Sequence, residues 1–137
     1  MEIILAENYG FCYGVKRAVE MADEAANSEG KSYTLGPIIH NPQVVGRLES
    51  KGVSPIQEVA DIDEGTMIIR SHGVGPAIYA EAEEKGLHIL DATCPHVKKA
   101  QQDAKSVIED GMTLVILGEK NHPEVKSINL WANNRGI

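Results

Sequence analysis

The chain has 137 residues and a formal net charge of −7 at pH 7, from 13 Lys and Arg against 20 Asp and Glu. That acidity excludes a sequence-independent grip on nucleic acid or on an anionic membrane surface, and aromatic residues at 4% are too sparse for a base-stacking platform. Hydrophobic residues at 42% exclude disorder, and no apolar run approaches the roughly 18 residues of a transmembrane helix.

The opening Met-Glu-Ile-Ile-Leu-Ala carries an early acid and no basic leader, so it does not read as a signal peptide, and the expectation is a soluble, cytoplasmic protein. Ile3 to Ala6 reads as a buried strand, followed by the turn Tyr9-Gly10-Phe11-Cys12-Tyr13-Gly14. A helix then places Val15, Ala18, Val19, Ala22 and Ala26 on one face and stops at Gly30. Ser32 to Ile39 is a second extended run, interrupted by Gly36 and Pro37. Asn41-Pro42 opens a helix with Val44, Val45 and Leu48 inward, closed by Gly52. A connecting stretch with Val53 and Ile56 leads to Asp61-Ile62-Asp63-Glu64-Gly65, which reads as a solvated turn.

Thr66 to Arg70 is the third strand, ending at Ser71-His72-Gly73-Val74-Gly75-Pro76. Pro76 starts a helix through Ile78, Tyr79 and Ala82, terminated by Gly86. His88 to Leu90 is a short strand ending at Asp91-Ala92-Thr93-Cys94-Pro95. The next helix buries Val97, Ala100, Ala104, Val107 and Ile108 and ends at Gly111. Met112 to Leu117 is the strongest strand pattern, running into Gly118-Glu119-Lys120-Asn121-His122-Pro123-Glu124. Trp131 to Ile137 reads as a turn entering a further strand, which predicts a truncated chain. Strand, turn and helix recur about five times, which predicts an α/β fold of mostly parallel sheet with right-handed crossovers.

Ligands of open parallel sheets bind outside the carboxyl ends of the strands. The turns expected there hold Cys12, His40, His72, Cys94, and His122 with Glu124 in that order, so both cysteines and three of the five histidines share one edge. His88 falls at a strand start on the opposite edge and is assigned no catalytic role, while His96 lies in the first turn of a helix and is left open. A single cysteine is ordinarily a small buried hydrophobe. Cys12 and Cys94, however, each sit where a helix N-terminus favours a thiolate. Their spacing matches no paired zinc motif, and a cytoplasmic disulfide is disfavoured. Two thiolates do not complete a zinc or iron–sulfur site, although added histidines would allow a Cys2His2 zinc site. Histidines beside helix N-terminal amides equally suit a phosphate. Glu124 reads as a capping carboxylate or a proton donor. Neither a G-x-G-x-x-G nor a P-loop is present to support nucleotide binding.

The run Asn8-Tyr9-Gly10-Phe11-Cys12-Tyr13-Gly14-Val15 with Arg17-Ala18 resembles the opening of the LytB/IspH family of 4-hydroxy-3-methylbut-2-enyl diphosphate reductases. Ile39-His40-Asn41, Ser71-His72-Gly73-Val74, Asp91-Ala92-Thr93-Cys94-Pro95 and Gly118…Asn121-His122-Pro123-Glu124-Val125 are similar to that family's further motifs, in order. The resemblance implies reductive removal of a hydroxyl from an allylic diphosphate, giving isopentenyl and dimethylallyl diphosphates. This is the last step of the non-mevalonate isoprenoid pathway. It implies a 4Fe-4S cluster with Cys12 and Cys94 as two of three cysteine ligands, and His40, His72 and His122 as substrate-binding residues. It further implies Glu124 as the proton source and a ferredoxin or flavodoxin as electron donor. Three similar α/β domains are implied, of which this chain would hold the first over residues 1–95 and the start of a second over 96–137. The third cysteine and the later threonine and serine/asparagine motifs are absent from the chain, so activity is expected of a longer parent. The other reading is a non-catalytic thiol/histidine metal-binding module on the same edge.

Overall fold

The computed structural model describes residues 2–28 and 30–137. Helix α1 (Tyr13–Ala26) forms on the small-residue stripe expected of it, burying Ala18, Val19, Ala22 and Ala25. Strand β1 (Ser32–Leu35) is shorter than the predicted run. Helix α2 (Pro42–Ser50) begins where Asn41 predicts, the Asn41 side chain accepting a hydrogen bond from the Val44 N–H. Strand β2 (Val53–Ile56), a single 3-10 turn (Val59–Asp61) and β3 (Thr66–Ile69) follow. Helix α3 (Pro76–Glu84), β4 (His88–Asp91), α4 (Pro95–Glu109) and α5 (Pro123–Trp131) complete the order. Each of α2, α3, α4 and α5 starts on a proline, whose fixed φ suits the first helical position.

All four strands are parallel, in the order β2-β1-β3-β4. The α/β expectation is therefore met. Successive side chains of a strand point to opposite faces, and β3 shows what this does. Ile68 enters a core with Ala18, Ala22, Leu48 and Val53, whereas Met67 and Ile69 enter a second core with Val59, Ile62, Ala82 and Leu87. A sheet buried on both faces results. Ile68 is fully buried in the middle of it. Its truncation to alanine is expected to lower stability by about 3 kcal/mol through lost burial and the cavity left behind. The urea midpoint measures this, and an unchanged midpoint rejects the assignment of Ile68 to the core.

A third cluster forms away from the sheet. Ala104 and Ile108 of α4 meet Ala132, with Leu114 and Ile128 packed against them. Among the described residues no helix is long and apolar enough to cross a membrane.

Several expectations are corrected. Ile3 to Ala6 forms no strand, and Ile3, Ile4 and Leu5 stand 74–83% exposed. Met112 to Leu117 is not a regular strand, because among the described residues Ile137 is the one segment that pairs with it in ladder fashion: Met112 N–H turns back to the Val107 carbonyl of α4, while Ile116 N–H donates to the Ile137 carbonyl and Ile137 N–H to the Leu114 carbonyl. That exchange has the slant of a parallel ladder. Conversely, Val53 to Ile56 is a strand rather than a connection. It lies at the sheet edge, where Pro55 withholds no needed donor. The acidic turn is not wholly solvated either, since Ile62 within it is fully buried. The start of the closing segment, Trp131, ends α5 rather than opening a turn.

Candidate functional site

The strand order reverses between β1 and β3: the connection from β1 leads to one edge and that from β3 to the other. Ligand crevices of open α/β sheets lie at this switch point, beyond the carboxyl ends of the two strands. His40 follows β1 there and His72 follows β3. His122 comes from farther along the chain as the N-cap residue of α5, its Nδ1 accepting from the Glu124 N–H at 3.3 Å. The three imidazoles converge. Ring centroids are 4.5 Å apart for His40 and His72, 5.5 Å for His72 and His122, and 5.9 Å for His40 and His122. Ligand nitrogens of all three lie within 4.8 Å of one another.

His40 is exposed, while His72 and His122 are half-buried. Burial, then repulsion from His40, Arg70 and His122, lowers the pKa of His72 from 6.5 to about 4. The ring is thus neutral at pH 7. Because the folded-state value lies below the unfolded one, the unfolded chain takes up this proton first as pH falls. The stability tied to the neutral ring is complete above pH 6.5 and is lost progressively toward pH 4. Following the ring protons of His72 by NMR should give a midpoint near 4, and a midpoint at 6.5 contradicts the burial described here.

Cys12 and Cys94 are both free thiols and both occupy helix N-caps, of α1 and α4. Their turns touch through Gly14. A Cβ there would stand 2.5 Å from Cys94 Sγ and 2.9 Å from Cys94 Cβ, so the contact exists only because residue 14 has no side chain. Neither cysteine nor Glu124 joins the group of histidine nitrogens among the described residues. Glu124 shares the first turn of α5 with His122. His88 begins β4 on the opposite edge, as expected, and His96 is exposed outside the histidine group.

Backbone and buried polar bonds lock these turns to one another. Ser71 donates through Oγ to the Ile38 carbonyl, and the Cys94 N–H donates to the Ser71 carbonyl at 2.9 Å. Ser127 Oγ donates to the His72 carbonyl at 2.7 Å and accepts from Gln101 Nε2, with both side chains 2% exposed. Gly73, at φ +70°, makes room for this: a Cβ would overlap the Gln101 amide and the Thr93 methyl. Arg17 donates to the Thr93 and Asp91 carbonyls, and the Asp91 carboxylate accepts from the Thr93 N–H, Tyr79 and Lys98. Burial would raise the Asp91 pKa, but these donors, Lys98 foremost, hold it below its usual value.

Arg17, Asp91, Gln101 and Ser127 were not singled out from the sequence as site residues. For Asp91 a signal exists, because Asp two residues before a turn amide is an Asx-turn pattern. For the others none exists, since the partners of Arg17 lie 74 and 76 residues away.

A cavity of about 260 Å³ is lined by Gly73 and Pro123, the residues that follow His72 and His122, and by Arg70 and Lys126, with none of the three histidines in its wall. A larger one of about 600 Å³ lies beside Ile116, Leu130 and Ile137.

The LytB protein family profile matches residues 3–137. A curated 4-hydroxy-3-methylbut-2-enyl diphosphate reductase of Geotalea uraniireducens is 52% identical over 98% of this chain and 48% of its own length. Its counterpart in Pelobacter propionicus is 56% identical with the same coverage. A solved structure of (E)-4-hydroxy-3-methyl-but-2-enyl diphosphate reductase, the terminal enzyme of the non-mevalonate pathway, aligns with a TM-score of 0.83 at 48% identity. It covers 98% of this chain and 49% of that one. The E-1-hydroxy-2-methyl-but-2-enyl-4-diphosphate reductase structure from Plasmodium falciparum gives 0.91 at 32% identity, over 96% and 42%. The chain spans about half the length of the curated relatives it matches, and with ordered motifs, fold and family profile in agreement, it belongs to the LytB family.

Proposed function

We propose that this chain supplies part of the active site of a reductase acting on (E)-4-hydroxy-3-methylbut-2-enyl diphosphate, with isopentenyl and dimethylallyl diphosphates as products. The observation that carries the reading is the convergence of His40, His72 and His122 at the sheet's switch point. His122 accepts the Glu124 N–H through Nδ1, which leaves Nε2 as the ring nitrogen to donate to a phosphate oxygen. His40 and His72 add donors beside it, and the N-terminus of α5 adds its dipole. Glu124 would hand a proton to the departing hydroxyl, a role supported by its sharing the first turn of α5 with His122.

Cys12 and Cys94 fit an iron–sulfur cluster in donor chemistry: both thiols are free, and their turns meet across Gly14. A 4Fe-4S cluster takes more cysteines than the two in this chain, so further ligands come from outside it. When bound, such a cluster supplies electrons and Lewis acidity for loss of the hydroxyl. The electrons would come from a ferredoxin or flavodoxin, and the compartment would be the cytoplasm. We assign residues 1–95 to one α/β domain and 96–137 to the start of another. The separate α4–α5 core around Ala104, Ile108 and Ala132 supports that division.

Calorimetric titration with inorganic diphosphate tests the histidine roles. The chain is expected to bind it, and His72→Ala is expected to weaken binding by about 10- to 100-fold, the worth of one charge-assisted hydrogen bond. No binding, or binding indifferent to the histidines, sinks the reading.

A further inference from the structure

We propose that His40, His72 and His122 also form a site for a single divalent transition-metal ion of the zinc type, held by imidazole nitrogens alone and without the cysteines. Three nitrogens from three separate turns lie within 4.8 Å of one another. Ligands on one tetrahedral zinc, at bonds of 2.0–2.1 Å, stand ~3.4 Å apart, so closure by about an ångström completes the set. His40 is the exposed member of the three, so the movement falls to the ring least held by burial. His72 supplies a second pointer, because its Nδ1 is buried without a hydrogen-bond partner. A buried orphan nitrogen is costly unless something binds that ring.

Imidazole is the ligand zinc-type ions favour over harder cations, and three histidines leave a coordination position open to solvent. Ligation through His122 Nε2 would displace its proton and give up the 3.3 Å contact from the Glu124 N–H, which is already long. The bound ion then occupies nitrogens that the proposed function assigns to phosphate. Metal and diphosphate thus draw on the same three imidazoles, a link that rests on the diphosphate reading, whereas the metal site itself does not.

Titration of the metal-free chain with Co2+ in phosphate-free buffer tests the site by itself. One ion per chain is expected, with visible ligand-field bands and no thiolate charge-transfer band. The same spectrum is expected from a variant carrying Cys12→Ser and Cys94→Ser together. His40→Ala alters an exposed side chain, and His122→Asn keeps a residue able to cap α5, so neither threatens the fold. Each should weaken Co2+ binding on the order of 100-fold. Bands that vanish with the cysteines, affinity unchanged in both histidine variants, or no stoichiometric binding each overturn the proposal.

Discussion

Cys94→Ser, in a chain of the relatives' full length, is expected to abolish a stable iron–sulfur cluster after anaerobic reconstitution with iron and sulfide. The hydroxyl of serine is a far poorer ligand for iron in such clusters than a thiolate. The substitution is also well isolated from folding. Cys94 is the N-cap of α4 and makes no side-chain capping bond, whereas serine is among the preferred N-cap residues. The Cys94 N–H bond to the Ser71 carbonyl and the Arg17 bond to the neighbouring Thr93 carbonyl involve backbone atoms that the substitution leaves in place. Helix content should therefore match the parent while the cluster absorption disappears. An unchanged cluster spectrum removes Cys94 from the ligand set, and zinc held through the thiols of the unsubstituted chain, with no iron cluster formed, would favour a thiol/histidine metal-binding module.

The second large effect falls on turnover rather than on assembly. Glu124→Gln keeps the size of the side chain and the backbone N–H that bonds to His122 Nδ1, so the histidine group and α5 stay in place. What disappears is the transferable proton. A positioned general acid is worth about 10²–10⁴-fold in rate, and a loss in that range is expected with cluster spectrum and diphosphate affinity unaltered. The side effect on stability is small, because an acid in the first turn of a helix contributes only about 0.3–1 kcal/mol through the dipole. Parent-like turnover would leave Glu124 as a helix-end carboxylate and nothing more.

The contrast between these residues shows where sequence reading succeeds. Helices α1 to α4 were legible because apolar spacing and boundary residues are local properties: Asn41 caps α2 in the structure as its position before Pro42 predicts. Apolar runs without periodicity were less informative. Ile3 to Ala6 and Met112 to Leu117 have strand composition, yet a strand exists only where another backbone accepts its hydrogen bonds, and composition does not say whether one is present. Val53 to Ile56 erred in the opposite direction, since Pro55 reads as a break and is tolerated only at an edge.

By itself the sequence determined that reactive side chains gather in the turns before helices, of which those of His40, His72 and Cys94 follow strands in the structure, and that five ordered motifs make the chain a LytB-family protein. It also determined the acidity, which opposes a general affinity for polyanions but says nothing of a local site. The tertiary structure decided which of those turns meet. Strand order set His40 and His72 on either side of the switch point, and the Ser127 bond to the His72 carbonyl brought α5 and His122 to them. The same packing held the cysteine turns together at Gly14, apart from the histidine nitrogens. The physical reason is range. Helical spacing and capping act over a few residues, whereas proximity between positions 40, 72 and 122 depends on parallel pairing and burial between segments distant in the chain.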